Sequence, residues 1–320
     1  MIIRPKALLS FALASVIAAG CGGDGTTKPD NSIPDPNKDR LEITFAYANG
    51  VNISMASMDL FQITKDGRLA TPLVSTPGLD MAPEWSNDGK KIVFMRESGS
   101  GWALWAANAD LTGLRQLVVD STPAPNTFNN QLYPSWSPDG TSIVFLRMIA
   151  DSASGIAVIN ADGSGLRWVT MAATQPSWSS TNRIAYGSAG SIWTINPDGS
   201  GVLKVTTGGN DETPKWSRDG SKLVFEHVIP SVGTNHDNDF DIVTVNADGT
   251  GRKTLVTGGI YRNPSWSPDG AWVLYERVDI SDPSQPKCTL LKIPAAGGTP
   301  VNLTPDRTVG YCGGSSWRPF

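Results

Sequence analysis

Histidine is almost missing from this chain: there are two among 320 residues, His227 and His236. That excludes a metal centre built mainly from imidazoles, such as a three-histidine zinc site. No Gly-x-Ser-x-Gly nucleophile elbow occurs, which removes serine hydrolases of the α/β type. Phosphate-cradling glycine loops and paired-cysteine redox motifs are missing too. Positive charge is not in excess, the formal net charge being −4. That argues against a nucleic-acid binder, which needs a basic face to neutralise phosphates. Long hydrophobic runs are also lacking. "ALLSFALASVIAA", Ala7 to Ala19, has 13 residues, too few to span a bilayer as a helix. No convincing amphipathic helical period follows it, so the rest of the chain is expected to be all-β.

What is present begins with export signals. Arg4 and Lys6 precede the apolar run, and Gly20 and Cys21 follow it, the layout of a secretory leader. Small residues leading into a cysteine resemble the lipobox of bacterial lipoproteins, with Ala18 where that family most often has Leu. The resemblance implies a signal peptide over 1–20 and a lipid on Cys21. It also implies outer-membrane sorting, because Gly22 rather than Asp follows the cysteine. Residues 21–40 are polar and rich in Gly, Pro and Asp; they cannot bury enough apolar surface to fold and read as a flexible tether. With Cys21 lipidated, Cys288 and Cys312 remain as an even pair. In an exported protein these are expected to form a disulfide, the alternative being two buried thiols.

The remaining residues are repetitive. "APEWSNDGKKIVFMR", "YPSWSPDGTSIVFLR", "QPSWSSTNRIAYGS", "TPKWSRDGSKLVFEH" and "NPSWSPDGAWVLYER" recur in order, and "GGSSWRPF" is a truncated copy. Their tryptophans are Trp85, Trp136, Trp178, Trp216, Trp266 and Trp317, spaced by 51, 42, 38, 50 and 51 positions. A second signature lies between them, as in "VINADGSGLRWVT" and "TVNADGTGRKTLV", each a strand, a tight Asp-Gly turn and a strand. Four short strands per 40 to 50 residues predict one propeller blade per copy. Strand A of each blade is expected after the Trp, and strand D is expected to run into the next Pro-x-Trp. The first unit, from Leu41, lacks its Trp mark, and the truncated copy supplies one. The expectation is a six-bladed β-propeller over 41–320, closed by sharing a blade between its N- and C-terminal segments, which leaves no open sheet edge.

The Pro-x-Trp-Ser-Pro-Asp-Gly repeat resembles the TolB-type, WD-like propeller family over about Leu41 to Phe320. In that family TolB carries an additional α/β domain and is soluble in the periplasm. The resemblance is thus to the repeat more than to TolB itself, and a role in the Tol–Pal envelope system is not implied. The same repeat occurs in propellers of prolyl-oligopeptidase-type peptidases and in oligogalacturonate lyases.

The repeated residues read as structural. Asp139, Asp219 and Asp269 sit where a turn needs a local acceptor, and the glycine after each takes a positive φ. Function is expected where copies differ, on loops held by a rigid scaffold. Three long insertions stand out: 120–133, 227–241 and 278–288. Residues preceding each Pro-x-Trp are expected at the channel mouth as a partner-binding rim: Asp80, Tyr133, Gln175, Glu212 and Arg262. Phe128 and Tyr261 are expected to be exposed aromatics of the same rim. His236, Asp237, Asp239 and Asp241 form an acidic segment that could hold Ca²⁺, although it lacks the spacing of a calcium loop; no other cofactor is expected. The leading expectation is a lipid-anchored, non-catalytic envelope protein whose monomeric ring binds a protein or peptide. The alternative is a carbohydrate-binding or carbohydrate-processing propeller, in which the rim aromatics stack on sugars.

Overall fold

The computed structural model describes residues 40–47, 57–67, 70–74, 78–97, 101–118, 129–149, 153–230, 239–281, 287–304 and 312–319. Among these there are strands and turns and no α-helix, so none crosses a membrane as a helix.

The strands pair in antiparallel groups of four, each named here by its tryptophan. Gly78–Trp85, Lys91–Glu97, Trp102–Asn108 and Arg115–Gln116 make the Trp85 sheet. Asn129–Trp136, Ser142–Ile149, Ala153–Asn160 and Arg167–Met171 make the Trp136 sheet. The Trp178 sheet is Thr174–Trp178, Ile184–Ser188, Ser191–Ile195 and Leu203–Lys204. The Trp216 sheet is Asp211–Trp216, Lys222–Ile229, Asp239–Asn246 and Lys253–Val256. The Trp266 sheet is Ile260–Trp266, Trp272–Asp279, Lys287–Pro294 and Val301–Asn302. In the Trp317 sheet, Cys312–Trp317 pairs with Leu41–Tyr47, followed by Ser57–Thr64 and Ala70–Val74. Short parallel bridges join the Trp317 sheet to the Trp85 sheet and the Trp216 sheet to the Trp266 sheet.

This corrects one expectation. The Pro-x-Trp strand is the first strand of its own sheet, hydrogen-bonded to the strand after the Trp turn, and not the last strand of the preceding unit. The reason is the turn itself. Ser137 and Ser142 close a tight hairpin, Ser137 N–H donating to the Ser142 carbonyl at 2.8 Å, and the reverse strand must then lie directly beside the Trp strand. The ends of the 227–241 insertion are also strand: His227 to Ile229 and Asp239 to Asp241 extend the central hairpin of the Trp216 sheet.

The middle strands are apolar on both faces because both faces are covered. Ile143 and Phe145 pack towards Val93 and Leu104 of the Trp85 sheet. Val144, which points the other way, packs with Ile184 and Tyr186 of the Trp178 sheet. The same sharing recurs between later neighbours, and Ile43, Phe45 and Trp317 pack with Leu274 and Leu290 of the Trp266 sheet. Cys288 and Cys312 form a disulfide with Cα atoms 5.8 Å apart, linking the Trp266 sheet to the Trp317 sheet.

Candidate functional site

Every strand that ends on one of the six repeat tryptophans carries the same distortion. The register slips just before the tryptophan in all of them. The residue at the slip has a left-handed φ: Ala82 48°, Tyr133 53°, Gln175 47°, Thr213 55°, Asn263 52° and Gly314 99°. Such bulges re-aim side chains and leave a backbone N–H without its ladder partner. Side chains from neighbouring strands fill that vacancy. Thr213 N–H donates to Gln175 Oε1 at 3.1 Å, Asn263 N–H to Glu226 Oε1 at 2.7 Å, and Gly314 N–H to Glu276 Oε1 at 3.1 Å.

The result is a polar cluster drawn from four sheets. The Tyr133 hydroxyl bonds to Gln175, and the charges of Glu226, Arg262 and Glu212 all act on it. Arg262 Nη1 lies 3.2 Å from Glu226 Oε2 and 3.6 Å from Glu212 Oε1, with its guanidinium over the Phe240 ring. Asn263 Nδ2 donates to Glu276 Oε2 at 2.7 Å and so bridges the two buried glutamates. Burial pushes Glu226 up to about 7 even against the nearby Arg262. Burial also pushes Glu276 up to about 8, and the Glu226 charge adds to it. Tyr133 is likewise raised by burial. Arg262 and Glu212 keep 35% and 40% of their side-chain surface exposed, so the cluster is open to solvent through them.

Four of the expected rim residues, Tyr133, Gln175, Glu212 and Arg262, meet here, although they stand at two different registers. Asp80 sits one register further from the bulge. It is fully buried and bound to Arg96 at 2.6 and 3.0 Å. Asp211 is its equivalent in the Trp216 sheet, buried and held by His227 and by both Arg252 nitrogens. Tyr261 packs edge-on against Tyr275, with centroids 5.7 Å apart. Phe128, His236, Asp237 and Cys21 lie outside the described residues. Asp241 is buried in strand Asp239–Asn246, directly opposite His227, and Asp239 is opposite Ile229. Among the described residues, the one grouping of potential metal ligands is Glu276 with Cys288 and Cys312, and its sulfurs are spent in the disulfide.

Glu226, Glu276 and Asn263 were not singled out from sequence. A signal existed. The two glutamates occupy the position that reads Met95, Leu146 and Gly187 in other copies, so each is an acid inside an otherwise apolar strand.

The other end of the Trp strands is built differently. The residue before the tryptophan is Ser135, Ser177, Ser265 or Ser316 in four copies and Glu84 or Lys215 in two. Ser135 and Ser177 hydroxyls accept the backbone N–H of Trp178 and Trp216 in the following sheet. Glu84, Lys215, Arg218, Trp266 and Pro319 line a cavity of about 100 Å³ there.

Comparison with known proteins gives one family. Residues 40–297 match the TolB beta propeller domain. No curated protein matches the chain in sequence. Among solved structures, TolB from Acinetobacter baumannii superposes with a TM-score of 0.71 at 18% identity, over 88% of this chain and 68% of that one. A TolB-like protein from Agrobacterium tumefaciens gives 0.60 at 19% identity, over 87% and 98%. An oligogalacturonate lyase from Vibrio parahaemolyticus gives 0.51 at 13% identity, over 82% and 74%. At these identities the likeness is one of fold.

Proposed function

The chain belongs to the TolB beta propeller family, and on that premise we propose that it is a lipid-anchored, non-catalytic binding protein of the bacterial cell envelope. Its four-stranded sheets are the six blades of a closed ring over 41–320, behind a signal peptide (1–20) and a tether (21–40). Two features support closure. The apolar cores lie between successive sheets and also between the Trp266 and Trp317 sheets. The Pro-x-Trp strands neighbour one another in the same cyclic order.

The observation that carries the binding role is the polar cluster of Tyr133, Gln175, Glu212 and Arg262. Different blades contribute to it, and a rigid scaffold that presents preformed groups loses little entropy on docking. The non-catalytic reading rests on burial. Glu226 and Glu276 are 2% and 1% exposed, and each accepts two hydrogen bonds from protein donors, so they serve the scaffold and not a substrate. The partner is an envelope protein or peptide.

Two experiments test this. Cys21→Ser should release the chain from the membrane fraction and abolish palmitate incorporation. Wild-type protein used as bait on native envelopes should retain a partner that Tyr133→Ala/Glu212→Ala loses at least tenfold, with folding checked by melting. Equal retention by both baits would move the site elsewhere. Retention of a polysaccharide instead of a protein would favour the carbohydrate reading.

A further inference from the structure

The two exceptions to serine before the tryptophan are opposite in charge and three copies apart. In a ring of six copies, three copies is half a turn, so Glu84 and Lys215 start from opposite walls. They nevertheless meet: Lys215 Nζ lies 3.3 Å from Glu84 Oε2. A second contact runs in parallel, Arg218 Nη2 donating to the Asn87 carbonyl at 3.3 Å. Both join the Trp85 and Trp216 turns. Neither side chain of the ion pair is free in solvent, with 25% of Glu84 and 23% of Lys215 exposed. The space beside them, about 100 Å³, holds on the order of three waters. A serine at either position is too short to reach across.

We propose that Glu84 and Lys215 form a transverse tie that closes the channel at the Trp-turn end. The channel is then a blind well, entered from the end that carries Tyr133, Gln175, Glu212 and Arg262. A partner segment can insert into this well but cannot thread through the ring. The proposal rests on the six-bladed closed reading, and its test separates the two.

A zero-length carbodiimide joins a lysine amine to a carboxylate only when they touch. Applied to the full chain, it should give one cross-linked peptide pair containing Glu84 and Lys215. Absence of that product would overturn the tie and remove its support from ring closure. Closure of the mouth is read separately through Ser265→Cys, which lines the same cavity. Its modification by N-ethylmaleimide, followed by peptide mass, should be at least tenfold faster in Glu84→Ser/Lys215→Ser than in the otherwise wild-type chain. The charge-swapped Glu84→Lys/Lys215→Glu pair should restore the slow rate, which guards against a merely misfolded double serine. A cross-link together with equal labelling rates in all three would keep the ring and overturn the blind well.

Discussion

At the scale of single residues, the two buried glutamates are the most consequential groups. Glu226 and Glu276 are held near 7 and 8 by burial, well above an unfolded glutamate. The folded chain therefore binds more protons than the unfolded chain between about pH 4.5 and 8. Stability from these groups is complete below the unfolded value and is lost as pH rises through the folded values. The unfolding free energy from urea titration should fall between pH 5 and pH 8.5, by on the order of a few kcal/mol in total. Glu226→Gln and Glu276→Gln should each flatten that slope. An unchanged slope in both variants would show that the loss comes from other groups. The turn aspartates act in the opposite sense. Asp139, for example, is held below its usual range first by the Ser137 hydroxyl and then by Thr141. Its contribution is present above the unfolded value and lost as pH falls.

At the scale of the element, the Trp turn and the bulge behind it are the repeated unit. The turn was legible in sequence because its chemistry is local. Ser137 donates to Asp139 at 2.6 Å, Asp139 accepts from Thr141 N–H at 3.0 Å, and Gly140 has φ 66°. Ser-x-Asp-Gly spells out all of this. A Gly140→Ala side chain would meet nothing nearer than Ser86 Cβ at 4.0 Å, so only the backbone cost remains, about 1–2 kcal/mol. Gly89→Ala should cost clearly more by chemical denaturation, because its new Cβ would run into the Pro319 carbonyl. Equal losses would mean that the 318–319 segment moves aside freely. The bulge was less legible. Its left-handed residue is Ala, Tyr, Gln, Thr, Asn or Gly, and no residue type marks it. At Thr213, Asn263 and Gly314 what holds it is an acceptor on another strand, which no local pattern can announce. Hence the rim residues could be named, while the register that buries Asp80 and gathers the other four could not.

At the scale of the whole molecule, the seam is where the sheets depend on distant residues. Thr44 accepts the Trp85 indole N–H at 2.9 Å, and Arg318 N–H donates to the Glu42 carbonyl at 2.6 Å. The Cys288–Cys312 bond spans 24 positions, and closing such a loop stabilises by about 3 kcal/mol in the chain-entropy picture. Cys288→Ser/Cys312→Ser should therefore lower stability by about that much while leaving the strand content seen by circular dichroism intact. A loss below about 1 kcal/mol would assign the seam's strength to its packing instead.

The pairing of Cys312–Trp317 with Leu41–Tyr47 also has a meaning in time. The ribosome makes the first of these strands after nearly everything else, and at about 5–20 residues per second the earlier one waits for tens of seconds. Until then its sheet has three strands and a bare edge, and it cannot lock. A polypeptide wired in this way completes the sheet of its first described strand only after its last described strand has been made.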